Sequence, residues 1–212
     1  MSDRPTVSVY LPHNEPYLGR ARLLAFDQAI PEAMLSNAEV AKRTFGSTLT
    51  PLQTAATEII PQGVSIALSI RELIRQAYLY SATILVRPLV ERTGTISYLR
   101  DNPDATEAWR NGWPRKSQPS FSDLLACLHP GSADSHQESL RTMMHKLVHS
   151  DPEGSAYNMF RRDDGTLIFP SGKIIDQPVM CDFVSTAGCY YLKRLVEVAS
   201  AIFPPSSESL ST

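Results

Sequence analysis

Several residue patterns that mark common enzyme classes are missing from this sequence. It contains no Gly-rich phosphate loop, dinucleotide-binding fingerprint, Gly-x-Ser-x-Gly nucleophile turn or Cys-x-x-Cys pair. Their absence disfavours nucleotide hydrolases and redox enzymes, whose chemistry depends on those arrangements. Cysteine is also scarce: Cys127, Cys181 and Cys189 are an odd number without metal-ligand spacing, so we expect reduced and mostly buried thiols.

Neither sign of charge predominates, and the apolar runs are interrupted by charges. The 20 Lys and Arg residues are balanced by 22 Asp and Glu residues, so the chain as a whole does not attract nucleic acid or anionic lipid. The most apolar span, residues 64–86, contains Arg71, Glu72 and Arg75, which argues against a membrane-spanning helix. The N-terminus lacks the pattern of a secretory signal. We therefore expect a cytoplasmic protein without a membrane partner.

The apolar residues that are present recur at helical spacing along most of the chain. This pattern predicts an all-α fold, a bundle of five to seven helices, in a single domain over residues 15–203. Turn signals around Leu167, Ile168 and Phe169 predict a small hairpin-like insertion near residues 163–175. We expect residues 1–14 to form an extended arm and residues 204–212 a disordered tail.

Capping and breaking residues divide this pattern into individual helices. The first is expected over residues 15–45, either continuous or broken at Pro31. Thr50-Pro51 has the order of an N-cap followed by a proline in the first turn, and it begins a short helix that ends at Pro61-Gln-Gly63. A central helix, apolar on most sides, is predicted over residues 64–87.

Further helices are predicted in the second half of the chain. Pro88 either kinks the central helix or begins a new one. The remaining predicted helices cover residues 105–113, residues 121–128 with Ser120 or Ser122 as the cap, residues 135–149, and residues 177–202.

The residues best suited to chemistry lie on the helix predicted to end at Ser150. Arg141, His145 and His149 are spaced four residues apart and would form one polar stripe along that helix. The stripe begins near the edge of the apolar face and turns toward solvent at His149. Its simplest interpretation is an ordinary polar flank of an amphipathic helix.

Two chemical interpretations compete with that simple one. Histidines at i and i+4 have the spacing of zinc ligands. However, Lys146 and Leu147 stand where the His-Glu-x-x-His pattern needs its glutamate. A further zinc ligand, such as Glu91, would have to come from another helix. Alternatively, the stripe supports metal-independent phosphodiester cleavage. Histidine moves protons near neutral pH, and arginine stabilises charge that develops on a phosphate.

A second polar pair, Arg87 and Glu91, is spaced for an ion pair on one helix. In the simpler interpretation it is a surface salt bridge of small energetic value. In the other, it lies inside the bundle and covers the face that carries His145 and His149.

These two segments together resemble a known group of proteins. The run Arg87-Pro-Leu-Val-Glu91 and the later Val148-His-Ser-Asp151 look like motifs of uncharacterised bacterial helical proteins with an Arg-x-x-x-Glu helix. That group is similar in layout to the HEPN (higher eukaryote and prokaryote nucleotide-binding) helical bundles. Many HEPN proteins are ribonucleases or toxins in antiviral defence and toxin–antitoxin systems. HEPN nucleases separate Arg from His by four to six residues, whereas three residues separate Arg141 from His145 and seven separate it from His149.

The resemblance implies a HEPN-like stress or defence protein, acting as a metal-independent endoribonuclease on RNA and needing no cofactor. In that hypothesis, His145 or His149 is the acid and base, Arg141 binds phosphate, and Arg87 with Glu91 forms a polar floor. The rival hypothesis is a non-catalytic interaction module that binds a protein partner or a second copy of itself. A zinc-binding helical protein is the third.

Overall fold

The computed structural model describes residues 13–114, 117–149, 159–161, 164–168 and 172–204. Within these residues, seven α-helices and one short hairpin follow one another, which confirms the predicted all-α bundle. The helices are α1 (Ala21–Thr44), α2 (Pro51–Arg75), α3 (Leu79–Asp101), α4 (Ala105–Arg110), α5 (Phe121–Leu128), α6 (Asp134–Val148) and α7 (Pro178–Ile202). No helix among the described residues is both long and apolar enough to cross a membrane.

The hairpin is formed by two very short antiparallel strands, β1 (Phe160–Arg161) and β2 (Leu167–Ile168), with Phe160 opposite Ile168. It confirms a hairpin in this region, slightly earlier in the chain than predicted. Other predictions lie outside the described residues: the arm over residues 1–12, the tail over 205–212, and the helix stop at Ser150-Asp151.

Three prolines, a residue type that often breaks or kinks helices, lie inside continuous ones. Pro31, Pro61 and Pro88 are interior residues of α1, α2 and α3, so the predicted stop at Pro61-Gln-Gly63 was wrong. An interior proline costs about 3 kcal/mol. Burying a large aliphatic side chain returns about 1.5–3 kcal/mol. Buried residues such as Ile60 and Leu89 lie directly beside these prolines and keep the helices intact.

The actual break comes at a position without proline or glycine. The helix predicted over residues 64–87 is divided at Gln76-Ala77-Tyr78. Ala77 has a φ of 64°, the left-handed conformation that usually favours glycine. Its N–H donates to the carbonyl of Ile74 at 2.9 Å, and the Tyr78 N–H donates to that of Leu73 at 2.8 Å. This is a Schellman helix end built on alanine, and no sequence signal announces it.

The start of α1 also differs from the prediction. The first helix was expected from Glu15, but residues 13–20 form turns and α1 begins at Ala21. Arg71 on α2 explains the difference, because its guanidinium donates to both oxygens of buried Glu15, at 2.7 and 2.6 Å, and also bonds Asp27 on α1. Glu15 is therefore held by the tertiary structure in a turn rather than at a helix start.

Two predicted caps are confirmed. The Thr50 hydroxyl accepts from the Gln53 N–H at 3.2 Å, while the Gln53 side chain accepts from the Thr50 N–H at 3.0 Å. Ser120 and Asp123 form the same reciprocal arrangement at the start of α5. Each capping box satisfies N–H groups that the first turn of a helix leaves without partners.

One hydrophobic core joins the long helices. In it, α7 packs against α1, α2 and α3, and α2 packs against α3; α5 lies on α3, and α6 lies on α5 and α3. The contact of α1 with α7 is close because Gly188 has no side chain: a Cβ there would lie 2.7 Å from Cζ of Phe26. The side of α7 that faces α6 is not filled in this way.

Candidate functional site

The polar stripe of α6 lies at the protein surface. Arg141 and His145 are exposed on successive turns, and exposed His149 caps the helix, its N–H donating to the carbonyl of His145 at 3.1 Å. The two imidazole rings lie 4.3 Å apart between centroids. The structure therefore brings the two histidines together, in an open position.

Arg141 is engaged by a neighbour on its own helix. Its Nε and Nη2 atoms donate to the two carboxylate oxygens of Glu138, at 2.8 and 2.5 Å. The hydrogen bonds to Arg141 lower the pKa of Glu138, which keeps this carboxylate charged. A phosphate that bound Arg141 would have to compete with Glu138.

Arg87 and Glu91 form the ion pair that their spacing predicts. Arg87 Nε donates to Glu91 Oε1 at 3.0 Å on α3. The Arg87 guanidinium also lies over the ring of Phe121 on α5, 4.8 Å from its centroid. Among the described residues, Nη1 of Arg87 is a buried atom without a hydrogen-bond partner. The pair is thus partly enclosed between α3 and α5.

The two polar groups lie on helices that pack together, since α3 contacts α6. Within the described part of the chain, however, no hydrogen bond, ion pair or ring contact joins Arg87 or Glu91 to His145 or His149. The exposure of both histidines shows that the α3 pair does not bury them. The composite site remains a prediction.

The zinc hypothesis finds no ligand set among the described residues. In the described residues, no group of three or more His, Cys, Asp and Glu side chains is placed to hold a metal ion. His145 and His149 thus have no third protein ligand within that part of the chain.

A site that the sequence did not indicate lies between α6 and α7. An open apolar groove with a volume of about 460 Å³ separates the two helices. We call it the α6–α7 groove. Its lining consists of His129, Leu140, Met143, Met144, Val179, Asp182, Phe183, Thr186, Ala187, Tyr190 and Tyr191. A groove of this size lies within the range of ordinary binding sites.

The spacing of residues on α7 explains why this groove is apolar. Val179, Phe183, Ala187 and Tyr190 are three or four residues apart and share one face of the helix. Residues with this spacing normally pack against a neighbouring helix, but Val179 is 78% exposed and Tyr190 is 39% exposed. The stripe was visible in the sequence. What could not be seen is that α6 does not close over it.

One end of the groove carries a hydrogen-bonded cluster. His129, which follows α5, lies with Nε2 3.1 Å from the Tyr191 hydroxyl and Nδ1 3.3 Å from the Tyr190 hydroxyl. Tyr190 also donates to the carbonyl of Leu128 at 3.1 Å, and its ring stacks on that of His129. Burial raises the pKa of Tyr191 above its usual range, so this hydroxyl stays protonated.

The other end of the groove carries an ion pair. Asp182 accepts hydrogen bonds from Nε and Nη2 of Arg20, at 2.8 and 2.5 Å. Arg20 holds the pKa of this carboxyl below its usual range. Both ends of the groove are thus polar and internally bonded, and the floor between them is apolar.

Comparisons with known proteins give no relative for this chain: no family model, no curated protein and no solved structure matches it.

Proposed function

We propose that this chain is a non-catalytic helical interaction module whose binding surface is the α6–α7 groove. The observation that carries the proposal is the exposure of an ordered apolar stripe, above all Val179, on a helix whose other side is fully packed. Contiguous exposed apolar surface of this kind is typical of binding sites in soluble proteins.

The chemistry of the groove favours binding over catalysis. Its polar groups already bond one another, as His129 does with Tyr191 and Asp182 does with Arg20. An apolar partner surface would cover the floor without separating these pairs. Met143, which is only partly buried, suits this role, because methionine side chains are flexible and adapt to different apolar surfaces.

An apolar fluorescent dye tests the proposal directly. Anilinonaphthalene sulfonate should bind the native wild-type protein and brighten, and Ala187→Glu should abolish most of that signal by placing a carboxylate on the groove floor. Ala201→Glu is the matched control, since it puts the same charge on an exposed alanine of α7 beyond the groove. Equal dye binding by both variants would show that the groove is not the binding surface.

A metal-independent endoribonuclease of the HEPN-like stress or defence type is the second candidate. The contact between the rings of His145 and His149 favours it, because two exposed imidazoles, one and two turns from Arg141, can exchange protons with a bound phosphodiester. In this proposal Arg141 leaves Glu138 to bind the RNA phosphate, and Arg87 with Glu91 supports the site from α3.

Cleavage of a fluorogenic RNA in the presence of EDTA tests this candidate. Activity should survive the chelator and disappear in His145→Ala and in His149→Ala. His13→Ala is the control, as it removes an exposed histidine outside α6. Cleavage that persists in a variant lacking both α6 histidines would exclude them as the acid and base.

A further inference from the structure

Charged residues cluster at both ends of the α6–α7 groove. At the His129 end, Lys193 and Arg194 follow Tyr190 by three and four residues, so they continue the groove face of α7 by one turn. Lys193 is exposed, and Nη1 of Arg194 donates to Glu197 Oε2 at 2.6 Å. Two cations and one anion therefore lie just beyond this end of the groove.

At the Val179 end, two arginines from the start of α1 lie beside Asp182. Arg20 bonds this carboxylate directly, with Nε donating at 2.8 Å. The hydrogen bonds from Arg20 lower the pKa of Asp182, and the charge of Arg22 lowers it further. Arg22 therefore lies close enough to act on a residue of the groove lining, and it is exposed to an incoming partner.

Helix α6 brings a third cation to the Val179 end. The beginning of α6 lies at the opposite end, where Nε2 of Gln137 donates to the carbonyl of His129 at 3.4 Å. Helix α6 therefore runs back along α7, and its last turn lies toward Val179. Lys146 belongs to that last turn and follows the groove residue Met143 by three positions.

These charged residues, together with exposed Asp176 before Val179, form what we call the groove rim. Among the described residues, the rim contains five cations and three anions: Arg20, Arg22, Lys146, Lys193 and Arg194, with Asp176, Asp182 and Glu197. The rim thus has an excess of two positive charges, whereas the whole chain has a net charge of -2. Attraction of an acidic partner is therefore a local property of the rim.

The groove walls restrict the backbone conformation of an occupant. Both walls are α-helices, whose backbone groups bond within each helix. The polar side chains of His129 and Asp182 are already bonded at the two ends. An extended segment would leave its own N–H and C=O groups unpaired over the apolar floor, whereas a helix pairs these groups internally. The groove therefore favours a helical occupant.

The distance between the two ends of the rim determines where the occupant carries charge. Fourteen residues of helix, or roughly 21 Å, separate Val179 from Lys193. Salt screens charges beyond about 10 Å at 0.1 M, so one acidic group interacts with one end only. An occupant that uses both ends carries acidic groups on its first and last turns. A single-headed amphiphile such as a fatty acid uses one end and leaves the other without a partner.

We infer that the occupant of the α6–α7 groove is an amphipathic helix of a partner protein, apolar on one face and acidic in its first and last turns. The inference rests on the proposed function, since it names the partner of the same groove. The apolar face covers the floor formed by residues such as Leu140, Phe183 and Ala187, and the acidic turns lie against the rim.

Two fluorescein-labelled peptides test the inference by fluorescence polarisation. Both are helices of about 16 residues, or roughly 24 Å, with the same leucine face. One carries glutamates in its first and last turns, and the other carries lysines there. The glutamate peptide should bind the wild type at least about tenfold more tightly at about 20 mM salt, and less than about threefold more tightly at about 500 mM. Equal affinities at low salt would overturn the inference.

Charge reversal at each end of the rim locates the interaction. Arg22→Glu and Lys193→Glu should each weaken binding of the glutamate peptide about three- to tenfold at low salt. Lys42→Glu is the matched control, since it reverses an exposed charge in the last turn of α1, outside the rim, and should change the affinity less than about twofold. Circular dichroism confirms that each variant is folded. If only one of the two rim variants weakens binding, the two-ended acidic helix is overturned.

The remaining outcomes separate this inference from the proposed function. Dye binding that is lost in Ala187→Glu, with no binding of either peptide, overturns the helical partner and leaves the interaction module intact. In that case, wild-type dimers that Ala187→Glu dissociates in sedimentation velocity would identify a second copy as the occupant, and dodecanoate that displaces the dye would identify a single-headed amphiphile. Unchanged dye binding in Ala187→Glu overturns the module itself.

Discussion

The two sides of helix α7 differ in how completely they are covered. Toward α1, Gly188 lies so close to Phe26 that no additional carbon fits between them. One residue earlier, Ala187 faces an open groove of about 460 Å³. Gly188 therefore lies in a tightly packed contact between α1 and α7, which we call the α1–α7 seam, whereas the adjacent Ala187 lies in the open α6–α7 groove. The contrast shows that the groove is a local property of the α6 side and does not come from loose packing of the bundle.

Removing a phenylalanine ring should lower the free energy of unfolding much more on the α1 side of α7 than on the groove side. Phe26→Ala removes a fully buried ring from the α1–α7 seam and should lower the free energy of unfolding by about 3–5 kcal/mol. Phe183→Ala removes a ring from the groove wall and should cost less than about half of that, because water already reaches this ring. Urea denaturation of both variants measures the difference. Equal losses would mean that the groove wall is as well packed as the seam.

Substitutions that add carbon atoms should also destabilise the protein more on the α1 side of α7 than on the groove side, although the difference should be smaller. Gly188→Ala forces Phe26 or the backbone to move and should cost about 1–3 kcal/mol. Ala187→Val adds carbon where the groove is open and should leave the unfolding free energy within about 0.5 kcal/mol of the wild type. Thermal unfolding followed by circular dichroism compares them, and a larger loss in Ala187→Val would contradict an open groove.

Alkaline pH should affect the filled side of α7 through Cys181. Burial raises the pKa of this thiol from 9.0 to about 11. The unfolded state therefore loses its proton first as pH rises, and the stabilisation that is complete below pH 9 declines toward pH 11. Between pH 9 and pH 10 the thiol alone should remove about 1 kcal/mol from the free energy of unfolding.

Urea titrations at several pH values, with Cys181→Ala as the comparison, isolate this contribution. The variant should lose stability less steeply over the same interval, even though its absolute stability is lower. Parallel slopes in the two proteins would show that the Cys181 thiol is not the titrating group.

The smallest effect is expected at the Arg20–Asp182 pair on the groove rim. Both side chains are about one third exposed, so solvent screens their attraction. Because Arg20 lowers the pKa of Asp182, the contribution is present above the ordinary carboxyl pKa and is lost as pH falls through the lowered one. Arg20→Gln should return the Asp182 pKa toward its usual range in an NMR titration, with little change in melting temperature. An unchanged pKa would mean that the pair is not formed in solution.

Local sequence signals predicted the elements of this fold well where the chain itself supplies the partner. Thr50 and Ser120 cap their helices through residues three positions later, so both were recognisable. The breaks were predicted poorly. Pro61 stays within α2 because neighbouring residues are buried, and Ala77 ends that helix without a glycine. Both outcomes depend on contacts with distant helices that a local pattern does not contain.

For the candidate sites, too, the sequence predicted contacts within one segment of the chain and missed those between distant helices. Spacing alone predicted the Arg87–Glu91 ion pair and the proximity of His145 to His149, which are contacts within one helix or at its end. The α6–α7 groove was missed because it depends on the separation of two helices that are 30 or more residues apart in the chain. Periodicity shows which face of a helix is apolar, but it does not show whether a neighbour covers that face.

The Arg20–Asp182 pair has a consequence for the order in which the chain folds. Its two residues are separated by 162 positions, and the α1–α7 seam joins the first described helix to the last. During synthesis at about 5–20 residues per second, α1 leaves the ribosome roughly 8–30 s before α7. Helices α2 and α3 can pair during that interval, but the inner face of α1 must remain uncovered by its main partner. Folding of this bundle is therefore expected to finish only after α7 has left the ribosome, with α1 as the last long helix to be enclosed.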